Sequence, residues 1–165
     1  MVHYTEKSLM WYYKQQVIES IEDIPKDVFG FIYRVVHEPT GQIYIGKKVL
    51  QFNLKRKLTK KDLELYEGVQ GRKPKFKVVQ KESDWKTYYG SNEQIKQWIK
   101  EGKQQELKRE ILAWGFDKKH LTYLETKYLF MYEVLEKEEF LNDNILGKFF
   151  KKDFDDKPTA TLINQ

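Results

Sequence analysis

The sequence predicts an α/β (α+β) domain built on a small, mainly antiparallel, three-stranded sheet flanked by helices. Three observations predict it. Phe29 to Val36 is a near-continuous apolar run, Glu38-Pro39-Thr40-Gly41 is turn chemistry, and Gln42-Ile43-Tyr44-Ile45-Gly46 alternates: together they read as a β-hairpin. Ser91 and Gln94 form an S-x-x-Q capping box ahead of Ile95, Trp98 and Ile99, which fall on one helical face. Leu107 to Trp114 is mostly apolar and is broken by Gly115, as a third strand would be.

The remaining elements follow in chain order. Over residues 5–21, Leu9, Met10, Tyr13, Val17 and Ile21 recur at helical spacing, and Pro25 stops the segment. This predicts an N-terminal helical extension, residues 1–27. After the hairpin, residues 47–86 lack clear periodicity and form a basic insertion, with a short helix over 58–66 capped by Thr59 and a loop over 68–74. Gly102 suits the position just past the end of the helix that begins near Ser91. Leu121, Leu124, Tyr128, Tyr132 and Leu135 predict a late helix, and Asn142-Asp143-Asn144 predicts a turn. The core domain is expected to span 28–150, followed by a polar tail, 151–165, frayed from Asp153.

Composition narrows the chemistry. The 165 residues suit one domain with trimmings, and 40% hydrophobic content is enough for a core, which excludes wholesale disorder. There is no cysteine, so disulfides, thiolate metal sites and thiol catalysis are excluded; three scattered histidines make a His-rich metal site a poor fit. A metal would be held by oxygen, as Mg²⁺-like ions are. Apolar runs are too short to span a membrane and the first residues hold no apolar signal core, so no membrane partner and a cytoplasmic setting are expected. Net charge is +5. Lys47 to Lys86 holds thirteen Lys and Arg against five Asp and Glu, a net +8, so the rest sums to −3. Charge concentrated this way suits phosphate neutralisation, and Lys47, Lys55, Lys57, Arg72, Lys73, Lys75, Lys77 and Lys86 are candidate DNA contacts. A solvated basic loop is the plainer alternative.

The hairpin carries the sharpest signal. Phe31-Ile32-Tyr33 on one strand and Tyr44-Ile45-Gly46 on the other place a tyrosine on each, eleven residues apart. Two tyrosines across a hairpin are also ordinary cross-strand packing. The paired triplets followed by a basic segment resemble the GIY-YIG nuclease family. Phe31 stands where that family usually has Gly, and Gly30 lies just before it; the second triplet is intact. Roughly residues 28–147 share the resemblance. Ser83-Asp84-Trp85, Tyr88-Tyr89-Gly90-Ser91 and Arg109-Glu110-Ile111-Leu112 are similar to a phage-encoded branch that includes homing-type endonucleases.

The resemblance implies a divalent-metal-dependent endonuclease acting on double-stranded DNA, with one Mg²⁺ or Mn²⁺. It places Tyr33 and Tyr44 at the active site, orienting or deprotonating water. An unperturbed tyrosine titrates near 10, so a base role needs a nearby cation. It makes Glu125 the metal ligand; read alone, Thr122-x-x-Glu125 is also a capping box. Asn144 before Ile145 resembles the Asn that closes the family's core, with an Asx turn as the alternative. The family's cationic residue matches Arg56 or Lys48, which the sequence does not separate. Trp85, Tyr88 and Tyr89 suit either a DNA face or core packing, and core is the expectation. No separate DNA-reading domain is evident, which leaves room for a homodimer or a targeting partner. A binding module on the same fold without cleavage is the rival reading; an RNA target ranks last.

Overall fold

The computed structural model describes residues 9–157. Its centre is a mixed five-stranded sheet in the order β2-β1-β7-β3-β4. The strands are β1 (Trp11–Tyr13), β2 (Gln16–Ile18), β3 (Gly30–His37), β4 (Gln42–Val49) and β7 (Leu107–Gly115). The hairpin is as expected: β3 pairs antiparallel with β4, Tyr33 facing Gly46 and Val35 facing Tyr44. The third strand, β7, also stands where expected and pairs antiparallel with β3. The two further strands overturn the three-stranded expectation.

They come from the segment expected to be helical. Trp11–Tyr13 and Gln16–Ile18 form a tight hairpin, and β1 runs parallel to β7. Lys14 and Gln15 both take positive φ, 47° and 70°, the pair of left-handed residues a two-residue hairpin turn requires. The helical spacing in this segment was misleading because three-residue strands are too short to display a period of two. What decides the outcome is burial of Trp11 and Ile18, neither of which lay on the expected helical face. Residues 5–8 of that expected helix, and 158–165 of the expected tail, lie outside the described residues.

Between β4 and the second half of the chain, the basic insertion folds as a two-stranded antiparallel ribbon, β5 (Gln51–Lys57) and β6 (Phe76–Glu82), instead of an irregular excursion. At its far end Thr59 caps the short helix α1 (Lys60–Glu64) as expected, accepting from the Asp62 backbone N–H. Helix α2 (Glu93–Lys100) buries Ile95 and Trp98 and ends before Gly102, which takes φ 73°. Its cap is Asn92, not Ser91: the Asn92 side chain accepts from Gln94 N at 2.9 Å and Ile95 N at 3.3 Å. Helix α3 (Lys118–Met131) is capped by Asp117. A small ladder of β8 (Asn144–Ile145) and β9 (Phe149–Phe150) follows, and a single 3-10 turn, Lys151–Asp153, comes after it.

The sheet has a core on each face. On one, Trp11, Phe31, Tyr33, Val35 and Ile111 pack with Trp85, Ile95 and Trp98. On the other, Ile32 and Ile45 pack against Leu121 and Leu129 of α3 and against Val134, Phe140 and Ile145. Strand β4 has no further β-strand beyond it in the sheet, so side chains from both layers meet along its outer edge.

Candidate active site at the outer edge of the sheet

Tyr33 points into the first core, and its ring crosses Gly46 on β4. A methyl group built on Gly46 would lie 2.5 Å from the Tyr33 hydroxyl oxygen and 2.8 Å from its Cζ, so only glycine leaves this path open. Gly90, at φ 117°, closes the same space from the other side; a methyl there would lie 3.3 Å from the Tyr33 hydroxyl and from the Tyr44 ring. The two phenol rings sit 6.3 Å apart. The last glycine of the second triplet thus lets a tyrosine on β3 reach the edge of β4.

A third tyrosine completes the cluster. Tyr88 meets the Tyr33 ring edge-on at 5.9 Å. Lys48 lies over the Tyr88 ring, its Nζ 3.8 Å from the centroid, and pairs with Asp84. The Tyr44 hydroxyl meets Ser91 Oγ at 3.1 Å. Of the three aromatics expected in the core, Trp85 and Tyr89 are buried there, whereas half-buried Tyr88 faces the tyrosines. Sequence reading assigned Tyr88, Ser91 and Asp84 no role in this cluster; the signal that could have found them is their place in the Ser83-Asp84-Trp85 and Tyr88-Tyr89-Gly90-Ser91 stretches that resemble the phage-encoded branch.

Glu125 reaches the cluster from α3. Its negative charge raises the titration of both Tyr33 and Tyr44. Lys47 Nζ stands 3.2 Å from Glu125 Oε1 and 3.2 Å from Thr122 Oγ1. Thr122 sits mid-helix and donates to the Lys118 carbonyl, so it does not cap the helix, and the capping-box explanation of Glu125 falls away. Lys47, expected to touch DNA, here accompanies the carboxylate: alternation along β4 sends it to the α3 side while Lys48 goes to the tyrosine side.

Burial raises the Tyr33 phenol well above its ordinary value, and Tyr44, Tyr88 and Glu125 push it the same way. Burial also raises Tyr44; the Ser91 hydrogen bond opposes this and Tyr88, Glu125 and Asp143 add to it. Both are neutral phenols at physiological pH.

The loop that brings Tyr88 is held by Arg109 of β7. This buried guanidinium donates from Nη1 to the Lys86 carbonyl at 2.9 Å and the Tyr88 carbonyl at 2.8 Å, and from Nη2 to the Leu9 carbonyl. It lies between the Tyr89 and Trp11 rings, 4.1 and 4.7 Å from their centroids. Burial lowers it to about 10, so it remains charged at neutral pH. On the other side, Asn142 imitates a strand neighbour for β4, accepting from Ile45 N at 3.0 Å and donating to Ile45 O at 2.8 Å. Asn144 is next to it but closes a turn, accepting from Gly147 N at 3.0 Å, which is the Asx-turn alternative.

In comparison with known families, residues 11–145 match the family described as "Putative endonuclease segE, GIY-YIG domain". The chain belongs to the GIY-YIG nuclease superfamily. Comparisons with curated proteins and with solved structures found no match. Phe31, where the family resemblance has Gly, is fully buried among Trp11, Trp85 and Trp114, with ring centroids 5.0, 6.4 and 6.2 Å away, and is absorbed by the core. The structure parts the two candidate cations: Lys48 joins the tyrosines, while Arg56 is exposed on the ribbon opposite Lys77. The ribbon also carries Lys55, Lys57 and Lys77, the last paired with Asp62 at 2.8 Å. Arg72, Lys73 and Lys75 lie exposed in the connection that closes the ribbon, and exposed Lys86 lies beside Trp85.

The described residues hold no group of three or more His, Cys, Asp or Glu placed to bind a metal, and no helix among them is long and apolar enough to cross a membrane.

Proposed function

We propose that the protein is a divalent-metal-dependent DNA endonuclease that hydrolyses phosphodiester bonds at the tyrosine-lined edge of β4. One observation carries this: Tyr33, Tyr44, Tyr88, Lys48 and Glu125 come from four separate stretches of chain, yet converge on a space floored by Gly46 and Gly90. The donor set fits one hard cation. Glu125 supplies a single part-buried carboxylate, and Mg²⁺ or Mn²⁺ is commonly held by one or two carboxylates, waters and substrate phosphate. Bound there, such an ion would stabilise charge on the scissile phosphate and on the leaving oxygen.

The chain's own groups do the rest. Neutral Tyr33 and Tyr44 orient the attacking water through their hydroxyls; they do not serve as resting phenolates, because burial disfavours that charge. Lys48 offers positive charge toward the phosphate. Lys47 holds Glu125 in place until substrate arrives. Asn142 fixes the edge of β4, with Asn144 closing the adjoining turn. Arg56, Arg72, Lys73, Lys75 and Lys86 contact the backbone of double-stranded DNA, giving affinity without base information.

The test is conversion of supercoiled plasmid in Mg²⁺, in Mn²⁺ and in EDTA, beside Glu125→Ala. Metal-dependent nicking or linearisation that the variant loses supports the proposal. A folded wild type that shifts DNA in EDTA and never cuts in either metal overturns it in favour of a binding module.

A further inference from the structure

The ribbon is more than a collection of cations. Strand alternation and the β5–β6 register divide it into two faces. One carries Leu54, Arg56, Lys77 and Val79; the Lys77–Asp62 ion pair shows that α1 lies on this side, and Leu54 and Val79 are part-covered. The other carries Asn53 directly opposite Gln80, then Lys55 opposite Val78, then Lys57 opposite Phe76, and all six are exposed. Amides and lysines on one open face are the side chains that read base edges, Asn and Gln matching adenine and Lys matching guanine, with apolar groups meeting the thymine methyl.

Charge and position favour DNA as the occupant. Residues 51–82 hold ten Lys and Arg against four Asp and Glu, a net +6, which exceeds the +5 of the whole chain. Lys55, Arg56 and Lys57 make no ion pair among the described residues, so their charge is available to phosphate. At its base the ribbon is tied down: Ser83 N donates to Leu50 O at 2.8 Å and Ser83 Oγ to Val49 O at 2.6 Å. Asn53 and Gln80 open onto a groove whose walls also include Lys47 and Thr122, the two side chains around Glu125. The reading face and the candidate catalytic edge therefore share one continuous surface. A two-stranded ribbon fits the major groove of B-DNA, about 12 Å wide.

We propose that the β5–β6 ribbon enters the major groove and reads sequence through Asn53, Gln80 and Lys55, so that recognition and cleavage reside in the same compact chain. This rests on the endonuclease reading above. Seven residue pairs at about 3.4 Å span about 24 Å, or about 7 base pairs, so the preferred sequence lies within that distance of the cut and on one side of it.

The experiment is digestion of a randomised duplex library with Mg²⁺ or Mn²⁺, with the new ends sequenced, and in parallel selection of bound duplexes from the same library in EDTA. Wild type should show a preference of a few base pairs at a fixed offset from the cut. Asn53→Ala with Gln80→Ala should lower discrimination at those positions by roughly 5- to 150-fold each. Gln80→Glu should move one preferred base from adenine to cytosine, a change that simple loss of packing does not produce. Cutting without preference, or a preference untouched by these substitutions, overturns ribbon readout and leaves the nuclease standing. If wild type binds but does not cut, the nuclease reading fails and the EDTA selection decides readout by the same criteria.

Discussion

Gly46 shows how much chemistry a single residue controls. The Tyr33 ring occupies the space a side chain would take, so Gly46→Ala forces the phenol away from Tyr44 and Tyr88. The expected cost is about 1–3 kcal/mol of stability, the usual penalty for overpacking, read by urea unfolding. Cleavage should fall further than stability, because Tyr33 loses its place. Glu125→Gln keeps shape but removes the charge, and plasmid cleavage should drop by about 100-fold or more, given that disturbing outer-shell groups of a metal site already costs 10- to 100-fold. The phenols give a pH test. Tyr33 is raised in the folded state, so the stability tied to its neutral form is complete below the unfolded tyrosine pKa near 10 and is lost as pH rises beyond it toward the folded value. Thermal melts from pH 8 to 11 should show wild type losing stability above about pH 10 more steeply than Tyr33→Phe.

At the scale of elements, the 84–91 loop and β7 act together. The loop carbonyls of Lys86 and Tyr88 accept from the Arg109 guanidinium, which also ties the Leu9 carbonyl before β1. Arg109→Met removes these part-buried bonds to a charged donor, at about 1 kcal/mol or more each. Stability should fall and Tyr88 should lose its position, so cleavage should fall by more than DNA affinity. A gel shift beside a cleavage assay separates the two. The ribbon responds differently. Neutralising Arg72, Lys73 and Lys75 together should weaken DNA binding on every sequence alike and lower the slope of log affinity against log salt by about 3, if each contacts one phosphate.

Across the whole molecule, the short N-terminal strands complete both the sheet and the first core. Trp11 packs on Phe31 and Tyr33, and its indole donates to the Trp85 carbonyl at 2.7 Å. Trp11→Ala should cost about 3–5 kcal/mol, seen as a lowered unfolding midpoint in denaturant. The loss should reach the candidate active site, because Trp11 supports the strand that carries Tyr33 and the loop that carries Tyr88.

The hairpin, the β7 strand, the Thr59 cap, the late helix and the paired triplets were legible in the sequence, because each depends on contacts within about ten residues or on a motif. Those local patterns determined the superfamily and placed Tyr33, Tyr44 and Glu125 as candidates. The short N-terminal strands were not legible, since β1 gains its partner from β7, about a hundred residues on. The ribbon was hidden because apolar and basic residues mix on both of its faces, Val78 and Phe76 beside Lys55 and Lys57 on one and Leu54 and Val79 beside Arg56 and Lys77 on the other, which removes the apolar alternation that marks a half-buried strand. Ser91 and Asn92 are equivalent caps by residue type; only the approach of Tyr44 assigns one to the site and the other to the helix. Tertiary structure also set Lys48 beside the tyrosines and Arg56 out on the ribbon, and sent Lys47 to Glu125. Adjacent residues on a strand face opposite layers, and which layer holds the chemistry depends on how distant segments pack.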